Sequence, residues 1–159
     1  MNLIDLYDSL NLPENDSKVF NAIPIPEYPN FRVAIDFEGN AVLLLSITKK
    51  IKDLSLKNFR LKYLQLEQNL DCKVFENDFF KHQTFTVITF RCSDRNLQEY
   101  FLRISETLVK TIGQNPTQQQ VIDSLKKFVE VFTSLTDSPK NTISGLWAEL
   151  FLIENSSNP

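Results

Sequence analysis

The sequence predicts an α+β fold in which an N-terminal antiparallel β-meander is followed by two to three packed α-helices. Two observations lead to this prediction. Between residues 19 and 92, short runs rich in Val, Ile, Phe and Leu alternate with turn-forming residues, which is typical of a sheet of short strands. Between residues 93 and 136 the apolar residues instead recur every three or four positions, the spacing of helices that bury one face.

The chain opens with a segment that suits a short amphipathic helix. Apolar residues recur at helical spacing from Leu3 to Leu10, and Pro13 ends the pattern. We expect this helix to cover an edge or a face of the sheet. The next segment, Val19 to Pro29, contains three prolines, so it is expected to form only an edge strand or irregular extended structure.

A β-hairpin is the clearest element of the predicted sheet. The runs 31–37 and 41–47 are both strand-like, and Gly39 between them supplies the positive φ that a tight turn needs. Further strands are expected at residues 61–68, 71–75 and 85–92, where β-branched and aromatic residues dominate. Taken in order, these runs predict a meander.

Two helices are expected after the sheet. Ser93 or Asp94 can cap the first helix and Gly113 can end it, while Thr117 to Gln120 has the pattern of a capping box for the second helix. We therefore expect the two helices to pack on the sheet. Their core stripes are Leu97, Phe101, Ile104 and Leu108, then Val121, Leu125, Phe128, Phe132 and Leu135.

Composition excludes several classes of protein. Apolar residues make up 42% and charged residues 23% of the 159 residues, which is globular composition rather than that of a disordered chain. The N-terminus lacks a basic region and a long apolar run, so we expect a cytoplasmic location and no membrane contact. In that compartment Cys72 and Cys92 are expected to be reduced, buried thiols.

The usual catalytic and metal-binding motifs are also missing. Three scattered glycines cannot build a phosphate-binding loop, and a single histidine with no Cys-x-x-Cys pair argues against zinc. His82 lies in a loop-like junction and is expected to be a surface or strand-end residue. Asp16-Ser17-Lys18 and Asp71-Cys72-Lys73 match the Asp-x-Lys string of metal-dependent nucleases, but such short strings arise by chance, and both are interpreted as structural.

One segment is locally basic although the chain has a net charge of −3. A phosphate-contacting patch has this character, and so does a solvated loop with a strand edge protected by lysines. The candidate nucleic-acid-binding residues are Lys49, Lys50, Lys52, Lys57, Arg60 and Lys62, with Asp53 the only opposing charge.

The C-terminal segment 144–154 predicts an apolar helix that also holds a glycine and a carboxylate. Gly145 costs a helix about 1 kcal/mol relative to alanine, which close packing would explain. Glu149 has apolar neighbours at helical spacing, and a half-buried carboxylate usually has a cation or a metal as its partner. Trp147 and Phe151 are aromatic anchors of the kind that dominate protein interfaces, so they are candidate interface residues.

The run Gly145-Leu146-Trp147-Ala148-Glu149-Leu150 resembles the Gly-Leu-x-Gly-Glu-Leu helix of the PD-(D/E)XK motif proteins, restriction-endonuclease-like proteins associated with phage defence. The order of a hairpin around residues 36–40, a strand end at residues 91–94 and two long helices is similar too. Ala148 departs from the family's second glycine, but alanine still permits close packing.

The resemblance implies that Glu149 is a catalytic residue and a ligand of Mg²⁺, and that an Asp strand and a Glu-x-Lys strand follow its helix. We therefore expect residues 1–140 to form an α+β recognition or scaffold domain, β-rich over 19–92 and helical over 93–136. Residues 141–159 would be the first helix of a truncated nuclease core. The chain alone is expected to bind no cofactor and to be inactive, while the full-length protein is expected to be a Mg²⁺-dependent DNA endonuclease.

Two alternatives come from other classes of protein. The chain is either a protein-interaction or dimerisation module without catalytic activity, docking through Trp147 and Phe151, or a DNA-binding domain that uses the basic segment 49–62. Interface burial of Trp147 would favour the first alternative, and salt-dependent DNA binding would favour the second.

Overall fold

The computed structural model describes residues 2–14, 19–46, 59–60 and 62–136 of the chain. Within these ranges it contains three helices and six strands, so the predicted α+β class is confirmed. In chain order they are α1 (Leu3–Asp8), β1 (Val19–Ile25), β2 (Tyr28–Ile35), β3 (Ala41–Leu45), β4 (Phe59–Arg60), β5 (Leu64–Glu76), β6 (Phe79–Phe90), α2 (Arg95–Ile112) and α3 (Gln118–Thr136).

Five of the strands close into a barrel-like sheet. The strand order is β1-β2-β3-β6-β5-β4, and β1 also pairs with β5, which joins the two ends of the sheet. This closing pair is parallel and joins residues 19–21 to residues 73–75, whereas every other pair is antiparallel. The short strand β4 pairs with residues 65–66 of β5 and stands outside the closed ring. Closure leaves few unpaired backbone groups exposed at a sheet edge.

The predicted meander is therefore wrong. In a meander β3 would pair with the next strand along the chain, but it pairs with β6, the last one. The physical reason is burial, because every residue of β6 from Phe85 to Phe90 is buried, and a strand buried on both faces is best placed inside the sheet with a partner strand on each side. Pairing with β3 and β5 places it inside the sheet.

Strand β1 is more regular than its prolines predict. It pairs with β2 along most of its length and with β5 only over Val19–Asn21. Pro24 lies beyond that parallel pairing, so its missing N–H interrupts no ladder there. The prolines therefore do not prevent β1 from forming a strand. They are compatible with it because β1 has two partner strands only over residues that precede Pro24.

Strand β5 joins two segments that the sequence predicts as separate strands. Its 13 residues run from Leu64 to Glu76, and the register against β6 shifts between Glu67 and Leu70. Asn69 lies within this bulge with a φ of 53°. The polar residues that resemble a turn therefore form a β-bulge.

Helix and turn signals in the sequence are confirmed by the structure. Gly39 has a φ of 85° in the turn between β2 and β3, and Gly113 ends α2 with a φ of 75°. The side chain of Asp94 accepts hydrogen bonds from the N–H groups of Asn96 and Leu97, as an N-cap does. Thr117 and Gln120 form the reciprocal hydrogen bonds of a capping box.

Alternation along the strands divides the apolar side chains between two cores. The inner core, within the barrel, is built from small and medium residues together with one phenylalanine. The outer core lies between the sheet and the helices, where the predicted stripes of α2 and α3 are buried or partly buried in the described residues. The inner core consists of Ala22, Ala34, Val42, Leu44, Cys72, Val74, Phe85 and Val87.

An aromatic cluster connects the sheet to both long helices. The rings of Phe90 on β6 and Phe101 on α2 stack with centroids 5.1 Å apart, and Phe128 on α3 meets Phe101 edge-on at 6.0 Å. Phe132 lies within 6 Å of the rings of both Phe90 and Phe101. Such contacts add to the hydrophobic gain of burial and set how the helices pack.

Helix α1 closes one side of the outer core. Its Tyr7 hydroxyl donates a hydrogen bond of 2.7 Å to the carbonyl of Gly39, and burial raises the pKa of this phenol. Asp8 forms a two-bonded ion pair with Arg95 at the start of α2. The helix thus contacts the β2–β3 turn, and its buried residues Leu3 and Tyr7 belong to the outer core.

The structure bears on two further expectations, the absence of a membrane-spanning helix and the domain boundary at residue 140. Within the described residues, no helix combines the length and the apolar character that crossing a bilayer requires. The predicted boundary at residue 140 lies outside the described residues and stays a prediction.

Replacing Phe101 by alanine is expected to lower the free energy of unfolding by roughly 3–5 kcal/mol, because it removes a fully buried ring from the aromatic cluster and leaves a cavity. Phe79→Ala is the matched control: this ring is 74% exposed, so its loss should change stability by only about 0.5 kcal/mol or less. Urea denaturation followed by circular dichroism measures both, and equal losses would contradict the assigned core.

Cys72 is expected to resist alkylation in the folded chain. Burial, with smaller effects from Asp71 and Glu67, raises the pKa of its thiol to about 12. Because the thiolate is the reactive form, roughly one Cys72 thiol in 10,000 is ionised at pH 8. Cys92 is also free but only partly buried, which corrects the expectation that both thiols are buried.

The labelling experiment uses the Cys92→Ser variant with iodoacetamide and mass spectrometry. We expect little modification of Cys72 at pH 8 until denaturant is added, and faster modification as the pH rises toward 12, where the thiolate forms. Rapid modification of the native variant at pH 8 would show that Cys72 is not enclosed by the barrel.

Candidate functional site

The predicted catalytic and interface residues lie outside the described residues. Glu149, Trp147 and Phe151 all belong to residues 137–159, for which no structure is described. Their roles as metal ligand and as docking anchors stay predictions.

The predicted basic segment is described only at its end. Lys49, Lys50, Lys52 and Lys57 lie outside the described residues, and Arg60 is described only through its backbone in β4. Lys62 is exposed, and its Nζ lies 5.1 Å from the centroid of the Tyr63 ring. The Tyr63 ring is partly buried, and the assignment of the basic segment to nucleic-acid contact stays a prediction.

The short nuclease-like strings and the histidine have separate outcomes. Asp16 and Lys18 lie outside the described residues, whereas Asp71 and Lys73 belong to β5. His82 is exposed as expected, but it pairs with Lys73 within β6, so the predicted loop there is wrong. In the described part of the chain, no three His, Cys, Asp or Glu side chains are placed to hold a metal ion.

An acidic cleft of about 380 Å³ opens toward the end of the barrel where β6 leaves the sheet. Four carboxylates and one guanidinium supply its charged groups, while its floor is apolar and includes Cys72 and Val87. The charged residues are Asp36, Glu38, Glu67, Asp71 and Arg91.

Internal hydrogen bonds occupy much of this polar lining. Asp36 accepts hydrogen bonds from the N–H groups of Glu38 and Asn40, at 3.0 and 2.8 Å, and from the Asn40 side chain. Arg91 donates to the Gln65 amide oxygen at 2.7 Å, and the Gln65 amide donates to Glu67 at 2.6 Å. The carboxylate of Asp36 therefore holds the β2–β3 turn, and Glu67 belongs to a chain of side-chain hydrogen bonds.

A buried ion-pair network lies toward the opposite end of the barrel. Arg32 on β2 donates from Nε to the Glu76 carboxylate at 2.7 Å, and Lys81 on β6 pairs with the other oxygen of that carboxylate. The Arg32 guanidinium also lies 5.3 Å from the centroid of the Phe85 ring. Since Glu76 keeps only 4% of its side-chain surface, these two cations supply the charge compensation that burial requires.

Beyond this network, the β5–β6 turn carries two exposed phenylalanines. Asn77 and Asp78 both have positive φ, at 52° and 66°, as the central residues of a tight hairpin turn often do. Phe79 and Phe80 follow immediately and are 74% and 60% exposed. These are the largest exposed fractions among the large apolar side chains that the structure describes.

Sequence reasoning missed this hairpin tip. Residues 79–84 resemble a loop, and the pair Phe79-Phe80 by itself suggests burial. The signal that was available is the two-residue Asn77-Asp78 turn between the strand-like run that ends in Phe75-Glu76 and the pair Phe79-Phe80, which is a short hairpin pattern. Exposure of the two rings became visible only with the length of β5 and β6.

Glu76→Gln is expected to lower the free energy of unfolding by about 3 kcal/mol, because it leaves the nearly buried Arg32 without its counter-charge. Lys81→Gln is the matched control; Lys81 is 41% exposed, so removing its charge should cost less than about 1 kcal/mol. Chemical denaturation of both variants at low salt measures this difference, and a neutral Glu76→Gln variant would contradict the assigned role of the network.

Comparison with known proteins bears on the whole chain. A family model described as "Putative PD-(D/E)XK family member, (DUF4420)" matches residues 3–159. No curated protein and no solved structure matches the chain. The family match includes both the described domain and the segment that carries Glu149, and it confirms the resemblance seen in the sequence. The chain therefore belongs to the DUF4420 family of PD-(D/E)XK-related proteins.

Proposed function

We propose that this chain is the N-terminal recognition and scaffold part of a Mg²⁺-dependent, restriction-type DNA endonuclease of a defence system. The observation that carries the proposal is the family match, which extends without interruption from the barrel to the helix-like segment with Glu149. A nuclease-like function is what membership of a PD-(D/E)XK family suggests, and the DNA substrate, the metal and the defence role are parts of the proposal.

Glu149 is the proposed metal ligand within this chain. A carboxylate oxygen is the kind of ligand that Mg²⁺ prefers, and the bound ion would activate a water and stabilise charge on the cleaved phosphate. In the proposal, the Asp strand and the Glu-x-Lys strand of the nuclease core are supplied by sequence that follows Pro159. The carboxylates that the described domain buries, Asp36 and Glu76, are already engaged by a turn and by two cations.

The described domain has the properties of a support for such a core. Its sheet is closed, its two cores are apolar, and the aromatic cluster joins β6 to α2 and α3. A site built on elements whose side chains are held by packing keeps its geometry better than one on isolated loops. The basic segment 49–62 includes β4, which pairs with β5, and we assign its lysines and Arg60 contacts with the phosphate backbone.

The test compares the natural protein that contains this chain with its Glu149→Gln variant. With Mg²⁺ present, the natural protein is expected to cleave DNA, and loss of the metal-binding carboxylate should reduce cleavage on the order of 100-fold or more. Cleavage of supercoiled plasmid with Mg²⁺, and with a chelator in its place, measures both. Glu154→Gln is the matched control, because it removes a carboxylate of the same segment and should retain activity.

Three outcomes would contradict the proposal. One is cleavage by residues 1–159 alone, since the proposal places the remaining catalytic residues elsewhere. Another is an unchanged rate in the Glu149→Gln variant. The third is a natural protein that does not cleave DNA but self-associates through Trp147 and Phe151, which would identify an interaction module instead.

A further inference from the structure

The tip of the β5–β6 hairpin, residues 75–82, exposes more aromatic surface than folding explains. Phe79 and Phe80 are adjacent and mostly exposed, whereas a phenylalanine that serves the core would be buried. Apolar residues scattered singly on a surface are ordinary, but neighbouring rings at the end of a projecting hairpin form a patch. Such a patch indicates an interaction with another molecule.

Strand alternation places the two rings on opposite faces of the hairpin, and a lysine accompanies each. On the outer face, the Phe80 ring contacts that of Phe75 at 4.9 Å, and the Nζ of Lys73 lies 4.8 Å from the Phe80 centroid. On the inner face, Phe79 pairs with Glu76, and Lys81 follows two residues later. The outer face thus combines a flat apolar ring with an ammonium group, whereas on the inner face the ammonium of Lys81 pairs with Glu76.

The charge of the tip differs from that of the rest of the chain. The carboxylate of Glu76 is compensated by Arg32 and Lys81, and the other acid at the tip is Asp78 in the turn. Within residues 75–82 the formal charges are those of Glu76, Asp78 and Lys81. The neighbouring cations Arg32 and Lys73 bring the local balance to +1, on a chain whose net charge is −3. His82 lies across from Lys73 on the outer face. The opposite end of the barrel, in contrast, carries the acidic cleft.

A ring beside a cation matches the two chemical parts of a nucleotide. Bases stack on phenylalanine whatever their sequence, because every base has a flat π-face, and lysines attract the phosphates between them. An apolar groove on a protein partner would accept the rings but would gain nothing from the lysines. The tight turn fixes the backbone from which both rings project, so little backbone freedom is lost when they bind.

We propose that the hairpin tip binds single-stranded nucleic acid, with bases stacked on Phe79 and Phe80 and with Lys73 directed to its phosphates. The choice of nucleic acid over a protein partner rests on the proposed nuclease function. The proposed site uses other residues than the basic segment 49–62 and Glu149, so it adds stacking contacts with unpaired bases to the phosphate contacts proposed above.

Binding is measured by fluorescence anisotropy with a labelled oligothymidylate, at low salt, with chelator present so that no cleavage can occur. The unchanged chain is expected to bind, and the Phe79→Ala/Phe80→Ala double variant should bind roughly tenfold or more weakly through the loss of stacking. Phe37→Ala is the matched control, because it removes a partly exposed ring from the β2–β3 turn and should leave binding unchanged. Circular dichroism and a urea midpoint verify that the variants are folded.

Two further variants separate stacking from general apolar contact. Phe79→Trp should retain binding because its ring still stacks, whereas Phe79→Leu should weaken it about as much as Phe79→Ala. Lys73→Gln should reduce the dependence of log affinity on log salt by about 0.7, as expected for the loss of one phosphate contact to a single strand.

Several outcomes would overturn the inference. They are no binding by the unchanged chain at low salt, unchanged affinity in the double variant, equal affinity for a duplex of mixed sequence, or a leucine variant as effective as the tryptophan variant. The last result would indicate an apolar protein partner. The nuclease proposal is tested by a separate measurement on the natural protein. There, Glu149→Gln should abolish DNA cleavage but leave oligothymidylate binding, measured with chelator, unchanged.

Discussion

Closure of the sheet by the parallel pair β1–β5 is the constraint on which the rest of this structure depends. Two strands pair with the edge of β5 that faces away from β6. Strand β4 pairs with residues 65–66, and β1 pairs with residues 73–75. Once the ends meet, the sheet has an interior, and that interior is narrow enough to favour Ala22 and Ala34. The helices can then cover only the outside, where Phe90 meets Phe101 and Phe132.

Closure of the sheet also limits where functional side chains can be accessible to a ligand. A filled barrel offers its ends and its projecting loops, because the strand faces are occupied by the two cores. At one end Asp36, Glu67 and Arg91 line the cleft and are engaged in hydrogen bonds within the chain. At the other end Glu76 is sealed by Arg32 and Lys81. Among the described residues, the hairpin tip lies beyond the Glu76 network, so two phenylalanines can be exposed there without weakening a core.

The two candidate sites, Glu149 and the β5–β6 hairpin tip, were found in different ways, the first from a sequence motif and the second from the structure. The carboxylate of Glu149 is recognisable in a single sequence because a glycine and an acid interrupt an apolar helical run, and the family match includes that segment. The hairpin tip has no comparable motif. Its two rings are identified as a binding site by their exposure, by the neighbouring Lys73 and by the turn at Asn77 and Asp78. Exposure is a property of the folded chain and cannot be seen in the sequence.

The sequence by itself determined the local structure and the family. Caps at Asp94 and Thr117, the positive φ of Gly39 and the helical stripes follow from interactions between residues a few positions apart, which a sequence displays directly. Only the tertiary structure decided the strand order, the continuity of β5 through its bulge and the exposure of Phe79 and Phe80. The reason is that strand pairing joins residues far apart in the chain, and each choice of partner depends on burial of both faces of every other strand.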